Sequence, residues 1–161
     1  MGIYEPETFD IRSAVPPLVG RVRAAFMNAL DGRLAPFDIR SADYLVLVAL
    51  ANDIADTASS VCSLIAHDPG AMTRKIDALE ARGLVKRARS AEDRRAVRLE
   101  LTAEGRRLYP KMRETAVAMA NEFLRGFTKA EVRELEAMLK RILDNAESLE
   151  REPEPAKEAR R

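Results

Sequence analysis

The sequence contains almost none of the residues that build disulfide frameworks and transition-metal sites. Its 161 residues include one cysteine, Cys62, and one histidine, His67. A single cysteine excludes an internal disulfide and a cysteine-cluster zinc site, and a single histidine leaves a histidine-based metal site short of ligands. We therefore expect no metal and no other cofactor, and we interpret Cys62 as a small, buried apolar residue in preference to a redox sensor.

Aromatic residues and long apolar runs are also scarce. Tryptophan is absent, and phenylalanine and tyrosine together make up 5% of the chain, so the core must consist mainly of Leu, Val, Ile, Met and Ala. The longest apolar run, Tyr44 to Ala51, is far below the ~20 residues that a membrane-spanning helix requires. The first ten residues show no basic segment followed by an apolar one. These features predict a cytoplasmic protein.

The sequence also lacks the patterns of common catalytic sites. It has no glycine-rich phosphate-binding loop and no Ser-x-x-Lys or Gly-x-Ser-x-Gly motif, and only His67 is available as a base for Cys62. We therefore expect neither catalytic residues nor enzymatic activity. With 47% hydrophobic and 33% charged residues, the composition is typical of a helix-rich globular domain.

Helical periodicity begins near the N-terminus. Six apolar residues recur every three or four positions: Ile11, Val15, Leu18, Val22, Phe26 and Ala29. This stripe ends near Asp31 and Gly32. Because Pro16 and Pro17 are tolerated only in a first helical turn, we expect residues 1–12 to form an extended arm and residues 13–35 to carry the helix.

Two closely spaced helices in the middle of the chain predict a helix-turn-helix. Before them, Ser41 is predicted to cap a helix that ends near Ala51. The first helix of the motif is expected to open at Thr57 and to end near His67, and the second has Asp68 as its cap. The residues expected to face the core in these three helices are Leu45, Val48, Ala49, Val61, Leu64, Ile65, Met72, Ile76 and Leu79.

After Gly83 the pattern changes from helical spacing to alternation. Residues 84–89 (LVKRAR) and 96–102 (AVRLELT) read as the two strands of a hairpin, with Leu84, Val85, Val97, Leu99 and Leu101 as their apolar residues. The loop between them, SAEDRR, is too charged to be buried. A helix-turn-helix followed by a hairpin predicts a winged helix over residues 36–102, in a mainly α fold with a small β-hairpin wing.

The C-terminal part returns to helical periodicity. One stripe consists of Leu108, Met112, Ala116, Met119, Phe123 and Phe127. Pro110 is expected to kink that helix, and Gly126 is expected to end it. Thr128 and Glu131 form a capping box for a final helix. That helix carries Val132, Leu135, Leu139, Ile142, Ala146 and Leu149 on one face. The charged residues 151–161 are expected to be disordered.

The outer helices predict a homodimer. The helices of residues 13–35 and 103–150 lie outside the winged helix, and each has an apolar stripe that a monomer would leave in water. Two protomers that pair through helices from both chain ends would bury these stripes. The sequence therefore predicts a winged helix-turn-helix flanked by N- and C-terminal dimerisation helices.

Positive charge is concentrated in the predicted helix-turn-helix and hairpin. The whole chain has a net charge of +1. Between Met72 and Arg98, nine basic and four acidic residues give +5, so the remainder of the chain sums to −4. This location favours a surface that binds nucleic-acid phosphates over a merely solvated basic face.

The segment from Thr73 to Gly105 resembles the MarR family of bacterial winged-helix transcriptional regulators, and the shared order of elements extends over about residues 11–150. The residues that match the family's wing signature and recognition-helix pattern are Thr73, Arg74, Ile76, Asp77, Leu79, Glu80, Asp93, Arg95, Leu101 and Thr102. The resemblance implies a dimeric regulator of double-stranded DNA with a pseudo-palindromic operator. It further implies a repressor that a small phenolic or other aromatic acid releases.

The second helix of the motif is the expected recognition helix, and its N-terminal half should face the major groove. Because Met72, Ile76 and Leu79 face the core, the residues expected to face DNA are Pro69, Gly70, Ala71, Thr73, Arg74 and Lys75. Arg74 is the candidate for a bidentate contact to guanine, with an ion pair to Asp77 or Asp68 as the alternative. Lys75 is expected to bind a phosphate.

For the wing, similarity to the family implies that Arg94 or Arg95 enters the minor groove. We expect Arg94 at the tip and Arg95 paired with Asp93, which orients the loop. Arg87, on a strand, is expected to contact a phosphate or solvent.

The resemblance also places a ligand pocket between the DNA-binding lobe and the dimerisation helices. Phe26, Arg40 and Tyr44 are the candidate lining residues. The alternative function is a winged-helix module that binds another protein and has no specific affinity for DNA.

Overall fold

The computed structural model describes residues 2–65, 68–89 and 97–151, except for the side chains of Arg89, Glu150 and Arg151. It divides into two compact units, Met1–Ala120 and Asn121–Arg161. The elements are α1 (Val15–Leu34), a 3-10 turn (Ala35–Phe37), α2 (Ser41–Ala51), α3 (Ala58–Leu64), α4 (Pro69–Ala81), β1 (Val85–Arg89), β2 (Val97–Leu101), α5 (Ala103–Phe123) and α6 (Lys129–Arg151). The predicted mainly α fold with a two-stranded hairpin is confirmed.

The N-terminal arm differs from the prediction that it is extended. It folds back on the start of α1 in short turns. The rings of Tyr4 and Phe9 meet edge to face with centroids 5.2 Å apart. The residue before α1, Ala14, has no side chain that can cap a helix, and the Val15 N–H donates instead to the Tyr4 hydroxyl oxygen at 2.9 Å. The arm therefore supplies the acceptor that the first turn of α1 lacks.

Helix α2 begins differently from the prediction. Arg40 occupies the cap position and Ser41 is the first helical residue, with its N–H donating to Asp31 Oδ1 on α1 at 2.6 Å. A carboxylate from another helix thus satisfies a free N–H group of the first turn, which removes the need for a serine cap. The Ser41 backbone N–H and, next in size, its hydroxyl lower the pKa of Asp31.

Helix α2 is also buried on more than one side. It packs against α1, α4 and β2. Of the three residues predicted to face inward, Ala49 is buried, whereas Leu45 and Val48 are only partly buried. The buried apolar residues of α2 are Tyr44, Val46, Leu47, Ala49 and Leu50. A helix surrounded by other elements does not have the single apolar face that helical periodicity assumes.

The two helices of the predicted helix-turn-helix form, and Ala66 and His67, where the first of them was expected to end, lie outside the described residues. The Thr57 hydroxyl oxygen caps α3 by accepting the Ser60 N–H at 3.1 Å. Val61 and Cys62 are buried, and Ile65 packs against the core. Leu64, which was predicted to be buried, is exposed. At roughly 100° per residue, Leu64 lies about 100° from the centre of the face that these three residues form.

The wing hairpin covers the end of the core. β1 and β2 pair antiparallel, with Val85 opposite Leu101 and Arg87 opposite Leu99. Leu84, Val85, Leu99 and Leu101 are buried, whereas Val97, which pairs with Arg89 next to the connecting loop, is exposed. The Leu99 N–H donates to the Asp56 carbonyl at 2.6 Å and joins β2 to the segment between α2 and α3.

A tight junction connects α4, the hairpin and α5. The Thr102 hydroxyl donates to the Gly83 carbonyl and accepts the Gly105 N–H at 3.1 Å, and the Thr102 N–H donates to the Leu84 carbonyl at 3.0 Å. Gly83 has a φ of +66°, which glycine adopts without strain. A Cβ atom added to Gly105 would lie 2.2 Å from the Leu84 carbonyl oxygen.

Helix α5 continues through Pro110 as one element of 21 residues. Met112 and Met119 are buried, but Phe123 and Phe127, predicted on the same stripe, are exposed. The predicted capping box of α6 is confirmed, because the Thr128 N–H donates to Glu131 Oε2 at 2.7 Å and the Glu131 N–H donates to Thr128 Oγ1 at 3.2 Å. Over the described ranges, no helix has the length and apolar character needed to span a membrane.

Gly105→Ala should destabilise the protein strongly, by about 2–3 kcal/mol, because the new methyl group would overlap the Leu84 carbonyl. The matched control is Gly32→Ala in α1, where an added Cβ has no neighbour within 4 Å and should raise stability by about 0.5–1 kcal/mol. Urea unfolding followed by circular dichroism measures both. Equal stability of the two variants would contradict the close approach.

Candidate nucleic-acid interface

Helix α4 has one buried face and one exposed face. Asp68 Oδ1 caps the helix by accepting the Ala71 N–H at 2.8 Å, and Pro69 is the first helical residue. Met72, Ile76 and Leu79 are fully buried. On the other side, Gly70, Thr73 and Arg74 are exposed, and Ala71 and Lys75 are partly buried. The residues predicted to face DNA therefore lie together on the N-terminal half of α4.

Most of the basic side chains that the structure describes in this lobe are paired with acids. The distance from Lys75 Nζ to Asp43 Oδ1 is 3.3 Å, and that from Lys86 Nζ to Glu100 Oε2 is 2.9 Å. Arg82 donates to the Phe37 carbonyl at 3.0 Å and to the Asp38 carbonyl, and the Arg98 guanidinium lies 3.1 Å from Asp56. Arg87 binds Asp77 and Glu80. Each of these pairs joins two different structural elements of the lobe.

Arg74 differs from the other basic residues between Met72 and Arg98 whose side chains the structure describes. Among those six side chains, it alone has no acidic partner. Of its two predicted alternative partners, Asp77 binds Arg87 and Asp68 caps α4. The ion pair considered for Arg74 is therefore not formed. Its guanidinium is exposed on α4 and available to an external acceptor.

Arg87 is held within the protein. Its guanidinium lies 2.6 Å from Asp77 Oδ1 and also donates to Glu80, and its backbone N–H donates to Glu80 Oε1 at 3.1 Å. Hydrogen bonding to Asp77, followed by that to Glu80, raises the pKa of Arg87. Sequence reasoning did not identify this contact, although the spacing of Asp77 and Glu80 places both carboxylates on one face of α4.

The three wing residues assigned by resemblance, Asp93, Arg94 and Arg95, lie outside the described residues. On one side of them β1 ends at Arg89, and on the other side β2 begins at Val97. The roles of these residues therefore stay predictions.

The candidate ligand residues occupy different environments. Phe26 is partly buried against the core, and Tyr44 is buried with its ring stacked on that of Tyr109 at 6.2 Å. Burial, and to a lesser extent Tyr109, raises the pKa of Tyr44. Arg40 is exposed, 3.9 Å from Asp31, and lines a surface cleft of about 420 Å³ with Asp31 and Asp38. Two carboxylates in that cleft oppose an anionic ligand there.

These features define a winged helix-turn-helix whose second helix, α4, carries an exposed Arg74 that has no acidic partner among the described residues. The family model described as "MarR family" matches residues 37–96. The multiple antibiotic resistance protein MarR of Escherichia coli (strain K12) is 30% identical over 140 residues, which cover 84% of this chain and 97% of that protein. The chain belongs to the MarR family of DNA-binding transcriptional regulators.

Solved structures agree with this assignment. CouR from Rhodococcus jostii RHA1, crystallised with p-coumaroyl-CoA, matches with a TM-score of 0.76 at 26% identity and covers 84% of this chain and 95% of its own. The transcriptional regulator PA3341 matches with a TM-score of 0.75 at 31% identity, covering 81% and 96% of the two chains. The names of these relatives describe regulators, in agreement with the expectation that the chain is not an enzyme.

Substitution of Asp68 should separate helix capping from charge. Asp68→Asn retains a capping oxygen and removes a negative charge next to the exposed face of α4, so DNA affinity at low salt should rise about twofold to fivefold. Asp68→Ala removes the cap and should cost about 1 kcal/mol of stability. Fluorescence anisotropy with labelled duplex and thermal unfolding measure the two effects. Unchanged DNA affinity of Asp68→Asn would place Asp68 away from the phosphates.

Proposed function

We propose that α4 enters the major groove of a specific operator and that Arg74 donates two hydrogen bonds to the edge of a guanine. The observation that carries this proposal is the isolation of Arg74 from carboxylates on the exposed face of α4, in a lobe whose other described basic side chains are paired. A guanidinium held by carboxylates must lose those contacts before it binds a base, whereas Arg74 has none to lose.

The neighbours of Arg74 suit a close approach to DNA. Gly70 has no side chain, and Ala71 has only a methyl group. The Thr73 hydroxyl donates to the Pro69 carbonyl at 3.1 Å, which leaves the Thr73 methyl group as its outward-facing part. Small apolar groups at these positions favour contact with thymine methyl groups. We assign base recognition to Gly70, Ala71, Thr73 and Arg74.

A phosphate contact is assigned to Lys75 and a minor-groove contact to Arg94. Lys75 is three-quarters buried and paired with Asp43, so we propose that it contacts a phosphate through the part of its ammonium that stays accessible. By resemblance to the family, Arg94 enters the minor groove and Asp93 pairs with Arg95. These contacts would fix the register of α4 on the duplex.

We propose that the functional unit is a homodimer. Within α1, Val15, Leu18, Val19 and Val22 are exposed, and within α6, so are Leu135, Leu139, Ile142 and Leu143. Continuous apolar faces of this kind are typical of protein interfaces. Helices 13–35 and 103–150 would pair the two protomers, and the two copies of α4 would read half-sites about one helical turn apart.

We further propose that the regulator is a repressor and that a small aromatic acid lowers its operator affinity. Support comes from CouR, a relative crystallised with p-coumaroyl-CoA. The ligand would have to favour one spacing of the two recognition helices over the other. Added aromatic acids that raise the melting temperature and release DNA at the same concentrations would identify the effector.

The alternative, a winged-helix module that binds another protein, is not favoured by the comparisons with known regulators. Random duplex DNA distinguishes the two functions. A regulator that neutralises phosphates binds random duplex at low salt and releases it steeply as salt is added, whereas the alternative module does not bind.

Arg74→Ala should weaken binding to an operator selected from random sequences by about tenfold to a hundredfold, through the loss of a bidentate guanine contact. Preference for that guanine should disappear as well. Lys86→Ala is the matched control, since it removes one positive charge from a side chain paired with Glu100 inside the hairpin. Anisotropy titrations with the operator and with a guanine-substituted duplex measure both. Equal affinities of the two variants would refute the role of Arg74.

Leu139→Glu should convert the dimer to a monomer, because it places a charge on the apolar face of α6. Lys140→Glu, one residue further along on the polar side of the same helix, should leave the dimer intact. Sedimentation velocity should give twice the chain mass of 17.9 kDa for the wild type and the control, and a single chain mass for Leu139→Glu. A monomeric wild type at micromolar concentration would contradict the dimer.

A further inference from the structure

Strand β1 is attached to the recognition helix by one residue with contacts to two carboxylates. The Arg87 N–H and guanidinium both donate to Glu80, one to each carboxylate oxygen, and the guanidinium also donates to Asp77 Oδ1 at 2.6 Å. Asp77 and Glu80 are three residues apart on α4, so both face the same side of the helix. We call Arg87, Asp77 and Glu80 the clamp.

The backbone contact makes the clamp more than a surface ion pair. In the hairpin, Arg87 lies opposite Leu99, whose N–H points away from β1 toward the Asp56 carbonyl. In antiparallel pairing, both residues of such a pair direct their N–H groups outward, so the Arg87 N–H lies on the free edge of β1. Glu80 accepts it there. The edge of the wing strand is therefore bonded to α4 through backbone as well as side chain.

The same contacts make Arg87 a poor phosphate ligand. A phosphate would have to displace two carboxylates that already hold the guanidinium through charge-assisted hydrogen bonds. The adjacent Lys86 is paired across the hairpin with Glu100. The charged side chains of β1 that the structure describes are thus used inside the lobe.

The clamp lies between the two parts of the lobe that are assigned to DNA. Asp77 follows Arg74 by about one helical turn. Arg87 is two residues before the end of β1, from which the chain runs into residues 90–96. A contact at this place sets the separation of the groove-binding end of α4 from the start of the wing.

We propose that Arg87 is a positioning residue: with Asp77 and Glu80 it holds β1 against α4, so that one lobe reads the major and minor grooves together. This inference rests on the proposed function, because it concerns how the lobe meets the duplex. It assigns to Arg87 a role different from the contact with a phosphate or solvent that the sequence predicts.

The double variant Asp77→Asn with Glu80→Gln tests the clamp, because the two possible roles of Arg87 predict opposite changes in DNA affinity. If Arg87 contacts phosphate, the loss of two negative charges and the release of the guanidinium should tighten binding. If the clamp positions the wing, binding to an operator with A·T-rich flanks should weaken about threefold to tenfold, because preorganisation is lost. Binding to the same operator with G·C flanks should change little. Anisotropy titration at fixed salt measures both duplexes.

Two further variants complete the test. Arg87→Met added to the double variant should cause no further loss, since the three residues act as one unit. Glu100→Gln removes a carboxylate that holds only Lys86, and it should leave the flank preference unchanged. The melting temperature of each variant, from circular dichroism, should stay within about 3 °C of the wild type, as expected for half-exposed ion pairs.

Tighter or unchanged binding by the double variant overturns the clamp, and so does an equal loss on both duplexes. Arg74→Ala is titrated on the same duplexes. If Arg74→Ala binds these duplexes like the wild type, the proposed function is wrong. If Arg74→Ala loses binding but the double variant keeps its preference for A·T-rich flanks, only the clamp is wrong.

Discussion

The winged-helix lobe depends on the close approach of α5 to the chain that follows α4. Gly83 turns the backbone after α4, Thr102 bonds the Gly83 and Leu84 carbonyls, and Gly105 leaves room for the Leu84 oxygen. One junction therefore fixes the end of α4, the base of the hairpin and the start of α5. Any larger residue at position 105 must move one of these three elements, because a well-packed interior has no free volume to absorb a methyl group.

Charge in this lobe has two separate uses. The count of basic residues suggests a uniformly positive surface, but most of the described ones are partners of Asp38, Asp43, Asp56, Asp77, Glu80 or Glu100 in contacts that bridge elements. Single exposed ion pairs contribute little to stability. Their value here lies in geometry, since each one limits how one element moves relative to another. Among the described basic side chains between Met72 and Arg98, Arg74 alone has no acidic partner.

Much of the fold follows from local patterns in the sequence. The caps at Thr57, Asp68 and Thr128 were predictable because each depends on residues within three positions of one another. The buried face of α4 was predictable because that helix has one side against the core. Thr102, one residue of the family signature, also makes local contacts, with Gly83 and Gly105 at the junction before α5.

The rest depends on contacts between residues distant in the sequence. Ser41 is not a cap, because Asp31 from α1 already accepts its N–H. Leu45 and Val48 are less buried than predicted, because α2 is enclosed by three neighbouring elements and has no single buried face. The commitment of Arg87 to Asp77 and Glu80 was equally hidden, since an arginine on a strand looks the same in sequence whether it faces solvent, phosphate or a carboxylate.

The folded arm extends the structural boundary of α1 beyond its first helical residue. Eleven positions separate Tyr4 from Val15, yet the Tyr4 hydroxyl oxygen accepts the N–H of the first turn. The chain before α1 thus stabilises the N-terminal end of the helix, although it is not itself helical. Tyr4 therefore limits fraying at that end of α1, although a boundary drawn from helical periodicity would exclude it. Removing the residues before the periodic apolar stripe would shorten the ordered helix as well.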